Sequence, residues 1–203
     1  RKNLEILAKV ISLNERLILE NRSIHDVLFS MIRWTGEEEK AQPGLYIKTF
    51  ELPFPAFLLF KLMKNWARAQ KLVKLGFPWF LAARTTKLYS SCSAFGVILI
   101  KEETNTDFLV AGRMFQRLWL EATKNGLSLQ PITALPNLGQ RISRGKAQEL
   151  SQAHCNLIIE ANKKIKDVFQ VSEGVISMLF RIGYDGEPSA RSFKMRPNIK
   201  FLE

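Results

Sequence analysis

Cysteine, histidine and acidic side chains are scarce in this sequence, and each shortage narrows the chemistry. Two cysteines, Cys92 and Cys155, occur in 203 residues, with no Cys-x-x-Cys pair. No disulfide framework is indicated, and no secretory signal opens the visible chain, so the expected setting is reducing and cytoplasmic. The two histidines, His25 and His154, are far apart, and no metal-ligand cluster can be drawn around them. His154 and Cys155 are neighbours, but successive residues on a helix diverge by about 100°, so they are not expected to work as base and nucleophile. No uncharged apolar run approaches the ~20 residues that a membrane-crossing helix needs. Internal repeats and low-complexity tracts are also missing.

Acids are outnumbered, 19 Asp and Glu against 30 Lys and Arg, which leaves a formal charge of +11. Such an excess favours anionic partners: a phosphate-bearing cofactor, an acidic membrane surface or nucleic acid. No recognised nucleic-acid motif accompanies the charge, so nucleic acid is not an expected partner. With 46% hydrophobic residues the chain can bury a core. It opens with Arg1-Lys2, inside an amphipathic pattern and without an initiator methionine, as a piece of a longer polypeptide would.

The stretch at 111–131 organises the rest. Ala111, Phe115, Leu118 and Ala122 recur at helical spacing, and Met114, Trp119 and Leu120 are expected to widen that apolar face. Arg113, Arg117, Glu121 and Lys124 fall on the opposite side. Asn125-Gly126 ends the helix, and Leu127-Ser128-Leu129-Gln130 reads as a strand that stops at Pro131. Thr104 and Asp107 have the spacing of a capping box with the shorter acid. The simplest reading of this stretch is core scaffold.

Before it, residues 1–34 carry two helical patterns, with Ser23 as the N-cap of the second. Residues 35–40 are polar, Gln42-Pro43-Gly44-Leu45 is turn chemistry, and residues 46–52 look extended. From 53 to 89 there is no acid, while Lys61, Lys64, Arg68, Lys71, Lys74, Arg84 and Lys87 alternate with bulky apolar residues. Gly76-Phe77-Pro78 divides this basic segment into two helices. A basic amphipathic helix suits either a solvated surface, as in a lid, or a membrane interface. Residues 94–100 read as a strand buried on both faces. After Pro131, residues 132–136 read as a loop and 139–145 as a basic turn. A helix at 146–169 and a strand at 175–184 follow. Separated strands among many helices predict an α+β or α/β domain with one sheet.

Three pieces in order, RLWLEATKNGLSLQP, LFRIGYDGEP and Lys194-Met195-Arg196-Pro197, resemble the nitroreductase-like flavoprotein family. The similarity covers residues 95–197. The Arg33-Trp34 helix end, the Gly44-Leu45 turn and the basic 53–89 segment look like a divergent subgroup. It includes dormancy-linked members and nitroreductase-like domains fused to adenylation domains of the ubiquitin-activating type. The resemblance implies an α+β fold with a mixed, mostly antiparallel sheet flanked by helices. Residues 1–203 would then form a single nitroreductase-like domain with a basic helical insertion at about 53–89.

The function implied is an FMN-dependent oxidoreductase that passes hydride from NAD(P)H through the flavin to an unidentified small-molecule acceptor. FMN would lie at the interface of a homodimer or an intrachain pseudo-dimer. Lys194 and Arg196 would be the cationic flavin contacts, with Arg191 as a helper. Pro131, Ile132 and Thr133 would take the place of the family loop beside the isoalloxazine. There Thr133 replaces the usual acid and Ala134 the usual glycine, so a loop that needs glycine must be rebuilt. The family's opening Arg-Arg-Ser-like segment has no clear counterpart, since Asn21-Arg22-Ser23 lies inside the helical region. An alternative expectation is a cofactor-free nitroreductase-like lid, scaffold or partner-binding domain of a larger protein. The basic helices would allow such a domain to associate with a membrane surface.

Overall fold

A computed structural model describes residues 1–193. Three helices open the chain, α1 (Lys2–Ile11), α2 (Leu13–Glu20) and α3 (Arg22–Met31), where periodicity predicted two. The extra break is at Ser12, which is buried and whose hydroxyl donates to the Lys9 carbonyl at 2.8 Å. Such back-bonding loosens a helix at that turn. Asn21, not Ser23, caps α3: its side-chain oxygen accepts from the Ile24 N–H at 3.0 Å. Its amide meanwhile donates to the Glu149 carbonyl at 2.8 Å, which ties this end of the chain to the other half.

A small module follows, in which β1 (Ile32–Arg33) and β2 (Leu45–Tyr46) pair in parallel around α4 (Gly36–Ala41). Residues 46–52 are not an extended piece. The strand ends at Tyr46, and Ile47–Phe50 is a turn of 3-10 helix. The basic segment forms three helices, α5 (Phe54–Met63), α6 (Trp66–Lys74) and α7 (Phe77–Ser90). The division that the sequence concealed is at Asn65, whose side chain caps α6 by accepting from the Arg68 N–H at 3.1 Å. Leu19, Phe29, Ile32, Ile47, Met63 and Ala69 form the core shared by these elements. His25 is buried there, with Nε2 2.8 Å from the Met63 carbonyl and its ring against Phe29 and Trp66. A carbonyl only accepts, so Nε2 carries the proton.

The second half contains β3 (Ala94–Ile100), α8 (Asn105–Lys124), β4 (Ser128–Ile132), α9 (Ala134–Ser143), α10 (Gln152–Val168) and β5 (Val175–Gly183). The strands lie in the order β3-β5-β4, with β5 antiparallel to both neighbours. The fold is α+β, a three-stranded antiparallel sheet flanked by helices on both faces. Thr104 starts α8 as expected: its oxygen accepts from the Asp107 N–H at 3.1 Å and its hydroxyl donates to the Asp107 carboxylate at 2.8 Å. Ala111, Phe115 and Ala122 of α8 cover one face of the sheet, against Ile98, Ile100, Leu129 and Phe180. Helices α1, α9 and α10 cover the other face, against Ile132, Ile176 and Leu179.

Four expectations about this half are revised. Met114, Trp119 and Leu120 do not widen the buried face of α8; all three are exposed, as are Leu109 and Val110. Pro131 does not end β4 but pairs with Phe180, and the strand continues to Ile132. An edge strand tolerates proline because one row of its backbone groups faces away from the sheet. Residues 134–143, read as loop and turn, form α9, and the following helix begins only at Gln152. Strand β3 is covered on both faces, by Phe95 and Val97 packed on one core and Ile98 and Ile100 in the other, but it lies at the sheet edge and its Leu99 is exposed and not buried.

Gly96 of β3 lies opposite Phe180, and a Cβ there would collide with three atoms of the phenyl ring. That ring is held by Phe115, with centroids 5.9 Å apart, so it has little room to yield. Gly96→Ala should therefore destabilise the fold by about 1–3 kcal/mol in urea unfolding. Adding Phe180→Leu should recover part of the loss, and strictly additive losses would contradict this packing account.

Candidate functional site

Side chains alternate along β5, so Leu179 and Arg181 share one face while Phe180 and Ile182 join the cluster beneath α8. At Arg181 the overlying cover is the end of α7. The guanidinium lies 4.7 Å from the Tyr89 ring centroid, and its Nη1 donates to the Leu88 carbonyl at 3.1 Å. Its Nε donates to Gln130 Oε1 at 2.6 Å, on the β4 residue directly opposite. These contacts leave guanidinium N–H groups over for an outside acceptor, since arginine carries five.

Glu15 of α2 belongs to the same corner. Burial pushes its carboxyl up to about 7. Among the described residues it has no hydrogen-bonded partner that would hold the charge. Burial also raises the Tyr89 phenol, helped by Glu15 and opposed by Arg181. The Cys92 thiol is likewise raised by burial, against the pull of Arg181 and of backbone N–H groups. A carboxyl near 7 can take or release a proton at neutral pH, whereas a thiol pushed upward is a poor nucleophile. The corner is thus suited to binding a carbonyl or anion and exchanging a proton, and not to covalent catalysis by Cys92.

The residues singled out in the sequence are placed as follows. Pro131 and Ile132 are in β4, Ile132 within the core, and Thr133 is exposed at the start of α9. Helix α9 receives no side-chain cap from Thr133, and because Pro136 has no N–H, only the N–H groups of Ala134 and Leu135 are left over in its first turn. Of these, Ala134 is half-buried and Leu135 fully buried. Arg191 is exposed in the tail after β5. That tail is anchored on the β1–β2 module, Ser189 N–H donating to Glu51 Oε1 at 2.6 Å and Phe193 N–H to Glu39 Oε1 at 2.5 Å. Pro131 and Ile132 thus share β4 with Gln130, which meets Arg181, and Thr133 follows directly, whereas the anchors flanking Arg191 belong to the other module. Lys194 and Arg196 lie outside the described residues.

His154 and Cys155 diverge as helical neighbours should. His154 Nε2 is 3.6 Å from Glu20, which Arg16 already holds at 3.0 and 3.2 Å, while Cys155 packs on the core. No group of metal-ligating side chains occurs among the described residues. Two surface cavities, of about 450 and 210 Å³, are lined by residues 99–102 with 173–174 and by the 3-10 turn with Ser189. Neither includes Arg181 or residues 131–133.

Sequence reasoning missed Glu15, Tyr89 and the pairing of Arg181 with Gln130. One signal was present: Arg181 is the lone charge in the otherwise apolar run VISMLFRIG. The pH behaviour of Glu15 follows from the direction of its shift. A carboxyl raised in the folded state costs nothing below its unfolded value, and stability falls as pH rises from about 4.5 through about 7. At about 1.4 kcal/mol per unit the loss is at most about 3 kcal/mol, reduced because the residue keeps some solvent contact. Glu15→Gln should remove this slope from urea unfolding between pH 5 and 8 and be the more stable form at pH 8. An unchanged slope would place the titration elsewhere.

No family model and no solved structure matches the chain. It is similar to an uncharacterized protein, MT1398, of Mycobacterium tuberculosis (strain CDC 1551 / Oshkosh), with 21% identity over 196 residues. The alignment covers 95% of this chain and 27% of that protein, so the chain spans about a quarter of the length of the relative it matches.

Proposed function

We propose that this chain is a nitroreductase-like domain that holds FMN and serves an FMN-dependent oxidoreductase, with NAD(P)H as reductant and a small-molecule acceptor. The observation that carries the reading is the start of α9. Directly after residues 131–133 the helix starts with no side-chain cap, and the N–H of half-buried Ala134 suits a flavin carbonyl or another anionic edge. That donor fits the group, although the family's glycine-dependent loop is replaced here by Thr133 and the first residue of the helix. Arg191, Lys194 and Arg196 would supply cations for the phosphate. Bound FMN would supply the hydride chemistry, and the chain would bind and orient it, with Arg181 and Gln130 beside residues 131–133 on the sheet.

The outward face of α8 supports placing such a site at a junction between two bodies. Leu109 is 71% and Leu120 64% exposed, with Val110, Met114 and Trp119 exposed between them. A helix with that much exposed apolar surface is suited to a partner, either in a homodimer or in an intrachain pseudo-dimer. The two thiols are free and suit a reducing, cytoplasmic setting.

A second reading is favoured by the burial of Ile132 and the helical start at Ala134, which leave no free loop to meet a flavin ring. It is a cofactor-free lid, scaffold or partner-binding domain of a larger protein. A visible absorption spectrum of the protein, purified with its natural start, separates the two. A flavin band that follows the protein supports the first reading, and a colourless protein that takes up no added FMN supports the second. On the first reading, Arg196→Ala should weaken FMN retention roughly ten- to hundredfold, and Lys163→Ala on the exposed side of α10 should not. Equal retention by the two variants would remove Arg196 from the site.

A further inference from the structure

The turn joining α6 to α7 carries a strongly exposed apolar cluster. Leu75 is 81%, Trp79 64% and Phe80 63% exposed, and all three lie within six residues of sequence. Gly76 makes the turn at φ +77°, and a Cβ added there would meet nothing within 4 Å. The aromatic pair is held in place: Phe77 stacks on Phe80 at 6.0 Å, and the Arg16 guanidinium lies 4.1 Å from the Trp79 ring centroid. Pro78 is buried in the first turn of α7 and keeps the tip from folding back.

Charge sets the occupant. All seven cations of residues 53–89 are exposed, no acid lies among them, and none of the seven makes an ion pair with a described residue. Lys71 and Lys74 lie one helical turn apart on α6, immediately before the tip, and Arg84 follows on α7. We propose that this tip docks on an anionic lipid bilayer, with Leu75, Trp79 and Phe80 entering the interfacial layer and the lysines meeting acidic headgroups. A protruding apolar tip needs a matching pocket on a protein partner, but a fluid bilayer yields to it without one. Tryptophan is at home at that depth, where its ring is buried and its N–H stays wet. A segment with seven cations and no acid of its own is attracted by the negative surface; the acid that contacts place nearest the tip, Glu20, is already neutralised by Arg16.

The proposal is independent of the flavin site, and sedimentation of the full chain with lipid vesicles tests it. Pelleting is expected on phosphatidylcholine vesicles that contain phosphatidylserine, with release as salt rises, and not on phosphatidylcholine alone. Trp emission should shift to the blue on binding, and Trp79→Phe should lose that shift. The variant Leu75→Ser/Trp79→Ser/Phe80→Ser should no longer pellet while keeping its far-ultraviolet circular dichroism, since these side chains are exposed. Lys71→Gln/Lys74→Gln, which leaves the apolar tip whole, should weaken binding roughly thirtyfold. The idea is overturned by an absence of pelleting on anionic vesicles at low salt, by equal pelleting on neutral ones, or by unimpaired pelleting of the triple variant. It is also overturned if the triple variant abolishes self-association, or binding of an acidic protein, in a chain that ignores vesicles.

Discussion

Strand β5 is the element on which the sheet depends. It is the last strand in the described chain and the middle one in space, so neither β3 nor β4 has a sheet partner until it arrives. Its residues are claimed by both layers: Leu179 is fully buried against α1, α9 and α10, and Phe180 against α8. The two edge strands run parallel to each other and are joined over α8, leaving a gap one strand wide. Filling that gap pairs Ile100 with Val175 and Ala94 with Ile182. Closing so long a loop is entropically costly before any pairing repays it. Gly96 is part of the same constraint, because the space its missing Cβ leaves is where the Phe180 ring lies.

The candidate site inherits that constraint. Arg181 reaches Gln130 and Tyr89 only once β5 is in register, so the cation, the phenol and the carboxyl of Glu15 are assembled by the sheet and not by any local motif. Holding an unpartnered carboxyl in that corner works against stability. A chain selected for packing alone would place an apolar side chain or glutamine there. Departures from local rules that bring no packing gain are expected at sites under other demands, and Glu15, which acts with Arg181 on Tyr89, is such a departure.

Elements of sufficient length were legible in the sequence. Helix α8 with its Thr104 cap, the turn at Gly126 and strand β5 follow from period and capping chemistry over long windows. The breaks at Ser12 and Asn65 were not legible, because each rests on a single polar side chain in an otherwise continuous pattern. Pro131 and Pro136 misled for the opposite reason. Both carry a strong local preference, which an edge strand and a helix's first turn accommodate. Of the site, the order of residues 131–133 after α8 was readable. The meeting of Arg181, Gln130, Tyr89 and Glu15 was not, since it depends on strand register and on which helix covers the sheet's end.

Apolar periodicity also cannot say who does the burying. Met114, Trp119 and Leu120 look like core in the sequence, and the structure turns them outward together with Leu109 and Val110. The charges around the outer face of α8 and around the α6–α7 turn differ in kind. The outer face of α8 mixes Arg113 and Arg117 with Glu121, and Lys124 is 3.5 Å from Glu121. Cations and acids together on a flat helical face suit a protein partner, where each charge can find its opposite and fix a register. The segment that forms the tip between α6 and α7 carries cations and no acid of its own, and its apolar groups are exposed at a turn. An interface that must discriminate among protein partners gains from charges of both signs, whereas attraction to an acidic surface needs only one. On the two proposals the faces would make different kinds of contact, and both could be engaged at once only if a body docked on α8 left the α6–α7 turn clear.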